Sequence, residues 1–328
     1  MLLDGARTEH RIFHDLPELL RAGDVLVLNE TQVIAARLIG SRAISGGQVE
    51  LLLLHPAKSA RYDPAATRWI ALARPARRLR RGERIAFARA NAVVRDELAG
   101  GLREIEFELE VPFSEFLESA GRMPLPPYIH DYPADARDRY QTVFARIPGS
   151  VAAPTASLHF TPELLAAIGA RGIEIARISL DIGLGTFRPV VTESIDDHAM
   201  HAEAYSIAPV AAAAIEGARS AGRRIVAAGT TVVRGLEGNV AAHGRILAGD
   251  YATECFITPG FQFQVVDALI TNFHLPRSTL LMLVAAFAGR ERILRAYAQA
   301  VARHYRFYSF GDAMFVTRAD DGDALHHV

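Results

Sequence analysis

Between residues 37 and 110 no long amphipathic helix interrupts a series of short strand-like runs joined by tight turns. That feature constrains the fold more than any other, because a chain that makes only strands over this length must close or stack its sheet. The runs are 48–54, 68–73, 83–88 and 102–111. The last alternates cleanly, with Ile105, Phe107 and Leu109 on one face and Glu104, Glu106, Glu108 and Glu110 on the other. Such alternation marks an antiparallel strand with one face in water. The segment therefore reads as a small β-barrel, with a sandwich as the other option.

On either side the pattern changes. Residues 25–28 are a strand signal after a turn-like Gly23-Asp24, and residues 29–38 lead into another short element. After Val111, residues 113–120 predict a short helix and 121–132 an ordered proline-rich loop. Helices are predicted over 136–145 and over 162–170, the latter capped by Thr161 with Pro162 in its first turn. Strands and helices then alternate: strands at 173–180, 224–228, 256–257 and 268–271, helices at 210–221, 280–286 and 291–304. This alternation argues for an α/β domain with a largely parallel sheet. The expected fold class is α/β, a discontinuous α/β domain with an inserted small β-barrel. The expected division is 1–36 for the first part of the α/β domain, 37–112 for the barrel and 113–328 for the rest. No internal repeat is visible.

Composition narrows the setting. At 328 residues, half hydrophobic and 22% charged, the chain has ample material for a core, and disorder, collagen and coiled coil are disfavoured. No apolar run approaches the length of a membrane span, and the start lacks a secretory apolar region. A single cysteine, Cys255, excludes an internal disulfide and an all-cysteine metal site. A cytoplasmic protein with no membrane association is expected, and a monomer is the simplest assembly. The formal charge is -1, but it is unevenly spread. Residues 71–90 hold seven arginines and one glutamate, whereas 96–118 hold eight acids and only Arg103. Arg74, Arg77, Arg78, Arg80 and Arg81 can form a basic face for nucleic acid, or an ordinary solvated surface.

Several clusters can carry chemistry. Residues 149–160 are mostly small and include Ser150, Thr155, Ser157 and His159, which suit either close backbone approach to a ligand or a tight interdomain loop. Residues 181–189 follow a buried strand, where ligands of open α/β sheets gather. Its Gly-Leu-Gly is not a dinucleotide fingerprint, and Arg188 beside it can bind a carboxylate or phosphate or cap a loop. His198, His201 and Glu203 lack the spacing of a zinc motif, so acid–base or substrate-binding roles for His201 and Glu203 are favoured over metal. Residues 229–234, with Thr230, Thr231 and Arg234, can cradle an anion or hydroxyl at a helix start but lack a P-loop lysine. Asn272, His274 and Ser278 crowd one edge element, and four aromatics at 305–310 lie beside arginine, which suits base stacking or a core equally.

Taken together these motifs resemble the S-adenosylmethionine:tRNA ribosyltransferase-isomerase family of queuosine biosynthesis. The resemblance runs from about Asp15 to Phe315. It is carried by GDVLVLNET at 23–31, LPPYI at 125–129, RYQTVF at 139–144, the run 149–161, GLGTFRPV at 183–190, and His201 with Glu203. GTTVVR at 229–234, the run 271–288 and RFYSFGDAMF at 306–315 complete it. The resemblance implies a discontinuous α/β domain with a barrel insert. It implies transfer and isomerisation of the ribosyl part of S-adenosylmethionine onto 7-aminomethyl-7-deazaguanine at the wobble position of a tRNA with a GUN anticodon. The products are epoxyqueuosine-tRNA, adenine and methionine. S-adenosylmethionine serves as ribosyl donor, and the chemistry requires no metal.

Such a reaction needs a base for the proton beside the sulfonium, assistance to departing adenine, and donors for developing charge. His201, Glu203 and His159 are the candidates for proton transfer. Ser150, Thr155, Ser157, Thr230 and Thr231 are candidates for holding the donor, and Arg188, Arg234, Asn272 and His274 for clamping a carboxylate or the base. Arg74 to Arg81 would meet tRNA phosphates. The chain departs from the family pattern in places. Members begin with an AxxPxxxRDxxRLL-like segment, and this sequence starts just after where that should end. That segment is expected to complete the first sheet and bring a substrate arginine, so lowered activity or an upstream start is expected. Ser157 stands for a glycine, Asp181 for a histidine, and Gln32 and Ala35 for an arginine and a proline. Two further readings stay open: a diverged paralogue with another acceptor, and a non-catalytic RNA-binding protein.

Overall fold

Two sheets divide the chain in the computed structural model, which describes all residues except 60, 127, 130–134, 184–194, 196–199, 201 and 320–328. The larger sheet has nine strands. Its inner four, Glu174–Leu180, Val25–Asn29, Ile225–Ala228 and Ala268–Asn272, lie parallel in that order. Val25–Asn29 shows why. Val25 and Val27 point into one apolar cluster while Leu26 and Leu28 point into another, and all four are fully buried. A strand covered on both faces must be apolar throughout, and each such side chain contributes about 1.5–3 kcal/mol on burial. Helices Pro209–Ser220, Thr230–His243, Thr279–Ala288 and Arg290–Ala302 supply one cover; Pro162–Ala170 supplies the other. The Thr161 hydroxyl accepts the Leu164 N–H and Pro162 opens that last helix, as the sequence predicts.

The sheet is less parallel than expected. Glu203–Ile207 and Gly249–Thr253 add antiparallel strands on one side, and Ala313–Thr317 adds one on the other. Leu2–Asp4 then pairs parallel with Ala313–Thr317, and Arg7–Glu9 turns back antiparallel on it. Antiparallel neighbours need no crossover helix, so the α/β alternation in the sequence reports only the sheet's centre. The strand expected at 256–257 is absent from the sheet; the strand of that region is the polar Gly249–Thr253. The helix expected over 136–145 reduces to Ala136–Arg139.

The smaller sheet closes. Arg37–Arg42, Gln48–Pro56, Arg68–Arg74, Leu102–Leu109, Ala90–Glu97 and Arg84–Phe87 pair in sequence around it, and Ser41 and Arg42 meet Ala86 and Ile85 to seal it. The closed barrel matches the expectation; Ala90–Glu97 is a strand that the sequence does not reveal, and Arg37–Arg42 is the strand formed by what the sequence showed only as a short element after residue 29. Gly40 sits at the seam, where a Cβ would lie 2.6 Å from the Phe87 ring and 2.9 Å from the Ala86 carbonyl. Alternate residues fill the interior, including Leu51, Leu53, Trp69, Ile105 and Phe107. The helix Phe113–Ala120 lays Phe113, Phe116 and Leu117 against the same core.

Where the two units meet, Thr31–Val33 pairs with Ile147–Ser150. Asn29 pins this junction: its amide donates to the Leu180 carbonyl and its Oδ1 accepts from the Leu180 and Thr31 N–H groups. Glu30, buried, holds Arg146 at 2.6 Å. The carboxyl ends of the inner strands are thereby fixed at one edge of the α/β unit.

Candidate active site

A cleft opens at those carboxyl ends, where ligands of open α/β sheets collect. Four of the sequence clusters converge on it, through Thr155, Thr231, Asn272 and Ser309, and Tyr128 of the proline-rich loop joins them. Gly229 makes the approach possible. It follows the Ile225–Ala228 strand with φ 102°, which a residue with a side chain rarely adopts, and its N–H donates to the Ile270 carbonyl at 2.8 Å. The chain then turns at once into the Thr230–His243 helix, whose first N–H groups face the cleft end of the strand.

The polar atoms here are unevenly satisfied. The Thr155 hydroxyl donates to Asn272 Oδ1 at 2.7 Å, which leaves the Asn272 amide nitrogen buried with no partner. The Thr231 hydroxyl is likewise buried and unpartnered. His274 is engaged: Nε2 lies 2.7 Å from the Thr271 hydroxyl, and its backbone N–H donates to the Tyr297 hydroxyl. Burial pushes its imidazole down to about 4, so it is neutral at pH 7. Tyr128 and Ser309 bond through their hydroxyls, and the Tyr128 and Tyr308 rings lie 5.2 Å apart. Sequence reasoning singled out the aromatics at 305–310 but not Tyr128, whose signal was the LPPYI stretch.

Other candidates sit elsewhere. Ser150 braces the backbone: its hydroxyl donates to the Ala152 carbonyl and accepts the Ile182 N–H. The Ser157 hydroxyl is fully buried and unpartnered but does not line the cleft. His159 faces a different cleft, beside Phe13, Arg306 and Asp312. Its ring stacks on Phe13 at 4.8 Å, Nε2 is buried without a partner, and burial lowers its pKa. Glu203 and Arg234 form a buried ion pair, and Arg234 Nε also donates to the Cys255 carbonyl at 2.9 Å. Arg234 is thus directed at the protein rather than into the cleft. His198, His201 and Arg188 lie outside the described residues. Among the described residues, no group of three His, Cys, Asp or Glu side chains is placed to hold a metal, and no helix is long and apolar enough to cross a membrane.

Asp181 emerges as a group that the candidate roles had not included. It directly follows the Glu174–Leu180 strand, accepts the Thr31 hydroxyl at 3.1 Å, and packs so closely on Gly149 that a Cβ there would lie 2.6 Å from its Oδ1. Burial raises its pKa to about 6; the Thr31 bond and Arg61 oppose this and Glu203 adds to it.

On the barrel, Arg74, Arg77, Arg78, Arg80 and Arg81 are all exposed, and none forms an ion pair among the described residues. Their neighbours are different: Arg84 pairs with Glu108, Arg89 with Glu115, and Arg68 and Arg95 share Glu106. Glu108 of the acid-rich strand and Glu115 of the following helix therefore neutralise Arg84 and Arg89, and the 74–81 part of the basic stretch is left open.

With this geometry in place, comparison with known proteins is decisive. The sequence pattern of the family described as "Queuosine biosynthesis protein" matches residues 1–316. The chain belongs to this family. An S-adenosylmethionine:tRNA ribosyltransferase-isomerase of Moorella thermoacetica is 55% identical over 316 residues, covering 95% of this chain and 90% of the relative. One from Symbiobacterium thermophilum is 53% identical over 311 residues, covering 94% and 89%. Among solved structures, an S-adenosylmethionine tRNA ribosyltransferase from Thermotoga maritima aligns with a TM-score of 0.50 at 34% identity, over 96% of this chain and 91% of that one. Of the family-like segments, those at 125–129, 149–161, 229–234, 271–288 and 306–315 contribute residues to the cleft.

Proposed function

We propose that this chain is an S-adenosylmethionine:tRNA ribosyltransferase-isomerase. It transfers and isomerises the ribosyl group of S-adenosylmethionine onto the 7-aminomethyl-7-deazaguanine of a tRNA with a GUN anticodon, releasing adenine and methionine. The observation that carries this reading is the convergence of Thr155, Thr231, Asn272 and Ser309 on one cleft at the carboxyl ends of the parallel strands. The names and identities of the relatives supply the reaction.

The cleft holds the donor. Hydroxyls and amide donors fixed in a partly desolvated site stabilise charge without reorganising. Tyr128 and Tyr308, with the adjoining arginine-bearing segment, offer ring faces for a flipped-out or adenine base. His201, two residues before Glu203 in sequence, takes the proton beside the sulfonium. Glu203 holds Arg234 beneath the helix start, which makes it a positioning residue. Arg74, Arg77, Arg78, Arg80 and Arg81 contact tRNA phosphates from the barrel. The protein works as a cytoplasmic monomer.

Incubation with S-adenosylmethionine and precursor tRNA, followed by nucleoside mass spectrometry, tests this directly. Epoxyqueuosine with equimolar adenine and methionine is expected. Adenine release without any modified nucleoside in tRNA would favour the paralogue reading, for which Asp181 in place of the family's histidine is the motive. Salt-sensitive tRNA binding with no turnover of the donor would favour a binding protein.

A further inference from the structure

The first turn of the Thr230–His243 helix has unused hydrogen-bonding capacity, most of it in donors. Its first N–H groups have no acceptor within the helix, because the first intrahelical bond runs from the Val233 N–H to the Gly229 carbonyl. Beside them the Thr231 hydroxyl and the Asn272 amide nitrogen are buried and unpartnered, in residues only 6% and 3% exposed. The Thr155 hydroxyl occupies Asn272 Oδ1, so the free end of that amide is its NH₂. The N–H groups and the amide NH₂ can only donate, and the Thr231 hydroxyl has its O–H to donate as well. Together with the positive end of the helix dipole they select an anion.

The surroundings restrict which anion. Neither arginine nor lysine lines this cleft among the described residues. His274 is neutral at pH 7, and the Ser278 hydroxyl donates to the Leu275 carbonyl. Arg234, on the same helix, points to Glu203 and the Cys255 carbonyl. The space within the cleft is about 70 Å³, which suits a group of a few heavy atoms. A backbone phosphate of tRNA is ordinarily met by Arg or Lys, and the described lining of this cleft holds neither. The donor substrate carries one carboxylate together with a sulfonium and an ammonium. A helix N-terminus attracts the first and repels the others, so it orients the molecule as well as holding it.

We propose that Thr231, Asn272 and the first N–H groups of the Thr230–His243 helix form a carboxylate subsite. It binds the amino-acid carboxylate of S-adenosylmethionine through these neutral donors. The inference rests on the donor-binding reading above and fixes which end of the donor lies deepest.

The test compares S-adenosylmethionine with its decarboxylated analogue, using the full chain under turnover with precursor tRNA. The KM of the first and the inhibition constant of the second are measured for the wild type, Thr231→Val and Thr231→Ser. The wild type should bind the carboxylate-bearing donor at least tenfold more tightly. Thr231→Val should weaken that donor about three- to tenfold and leave the analogue unchanged, and Thr231→Ser, which keeps a hydroxyl, should restore it. Free methionine should compete with the donor, and inorganic phosphate should not. Equal weakening of both compounds by Thr231→Val would place a shared part of the donor, such as the ribose, at this hydroxyl and overturn the subsite while leaving the proposed function intact. Competition by phosphate but not methionine would also overturn it. A wild type that turns over no donor at all would remove the proposed function and the subsite with it.

Discussion

Asp181 makes the pH dependence of stability calculable. Its carboxyl is largely buried at the end of the Glu174–Leu180 strand, and the pKa rises from 3.8 to about 6, chiefly because burial disfavours the carboxylate. The groups acting on it are the Thr31 hydroxyl and Arg61, which favour the charged form, and Glu203, which opposes it. That rise corresponds to about 3 kcal/mol. Between pH 4 and 6 the native protein keeps a proton that the unfolded chain has released, so stability from this group falls as pH rises through that window. Above about pH 6 the whole cost is present. Asp181→Asn keeps the size and an acceptor for Thr31 but has no charge to bury. At pH 7.5 the variant should therefore be the more stable protein, by up to about 3 kcal/mol, and at pH 4 the two should nearly coincide. Urea unfolding across pH 4–8 measures the difference, and carboxyl carbon NMR should show an aspartate titrating near 6 in the wild type and missing in the variant. Curves that run parallel across the whole range would refute the reasoning, as would an Asp181→Asn protein less stable at pH 7.5.

Four other outcomes follow from the same geometry. His274, held to about 4 by burial, should show no imidazole titration between pH 5 and 8. Its contribution to stability should be lost as pH falls from 6.5 towards 4, the opposite sign to Asp181. Gly149→Ala places a Cβ 2.6 Å from Asp181 Oδ1 and should cost about 1–3 kcal/mol of stability by urea unfolding; adding Asp181→Ala should recover part of it, and strictly additive losses would contradict the contact. Glu237 accepts the N–H groups of Gln264, Val265 and Val266 with no exposure. Glu237→Ala should therefore cost at least about 3 kcal/mol, with Glu237→Gln intermediate. Replacing Arg77 and Arg78 by Ala should weaken tRNA binding and reduce the slope of log K against log salt by about 0.7–0.9 for each lost phosphate contact. The donor KM should not change.

The fold was legible where burial imposes a period. Ile105 and Phe107 alternate with glutamates because one face of their strand lines the barrel, and Thr161 with Pro162 announces a helix by chemistry local to its first turn. Ala90–Glu97 escaped because Asn91, Arg95, Asp96 and Glu97 dilute its apolar residues, and Arg89 turns the chain only through a positive φ of 65°. Gly249–Thr253 escaped for a related reason. As the outer strand beyond Glu203–Ile207 it has one neighbour and only Thr253 fully buried, so its pairing leaves little hydrophobic trace.

The site was legible as segments but not as atoms. Thr155 and His159 lie in one run of small residues and look equivalent in sequence. They fall in a tight 3-10 turn, in which residues four apart point in different directions. Thr155 consequently reaches Asn272 while His159 stacks on Phe13 in another cleft. Arg234 follows Thr231 by three residues and reads as one more ligand-binding group of the same motif. Its long side chain instead meets Glu203, which arrives from the antiparallel edge of the sheet. A partner that comes from a non-adjacent strand leaves no mark on local spacing. That engagement is why the helix start presents only neutral donors to the cleft: with the nearest guanidinium neutralised from behind, an anion is held by dipoles and hydroxyls, and the sulfonium beside it meets no competing cation among the described lining residues.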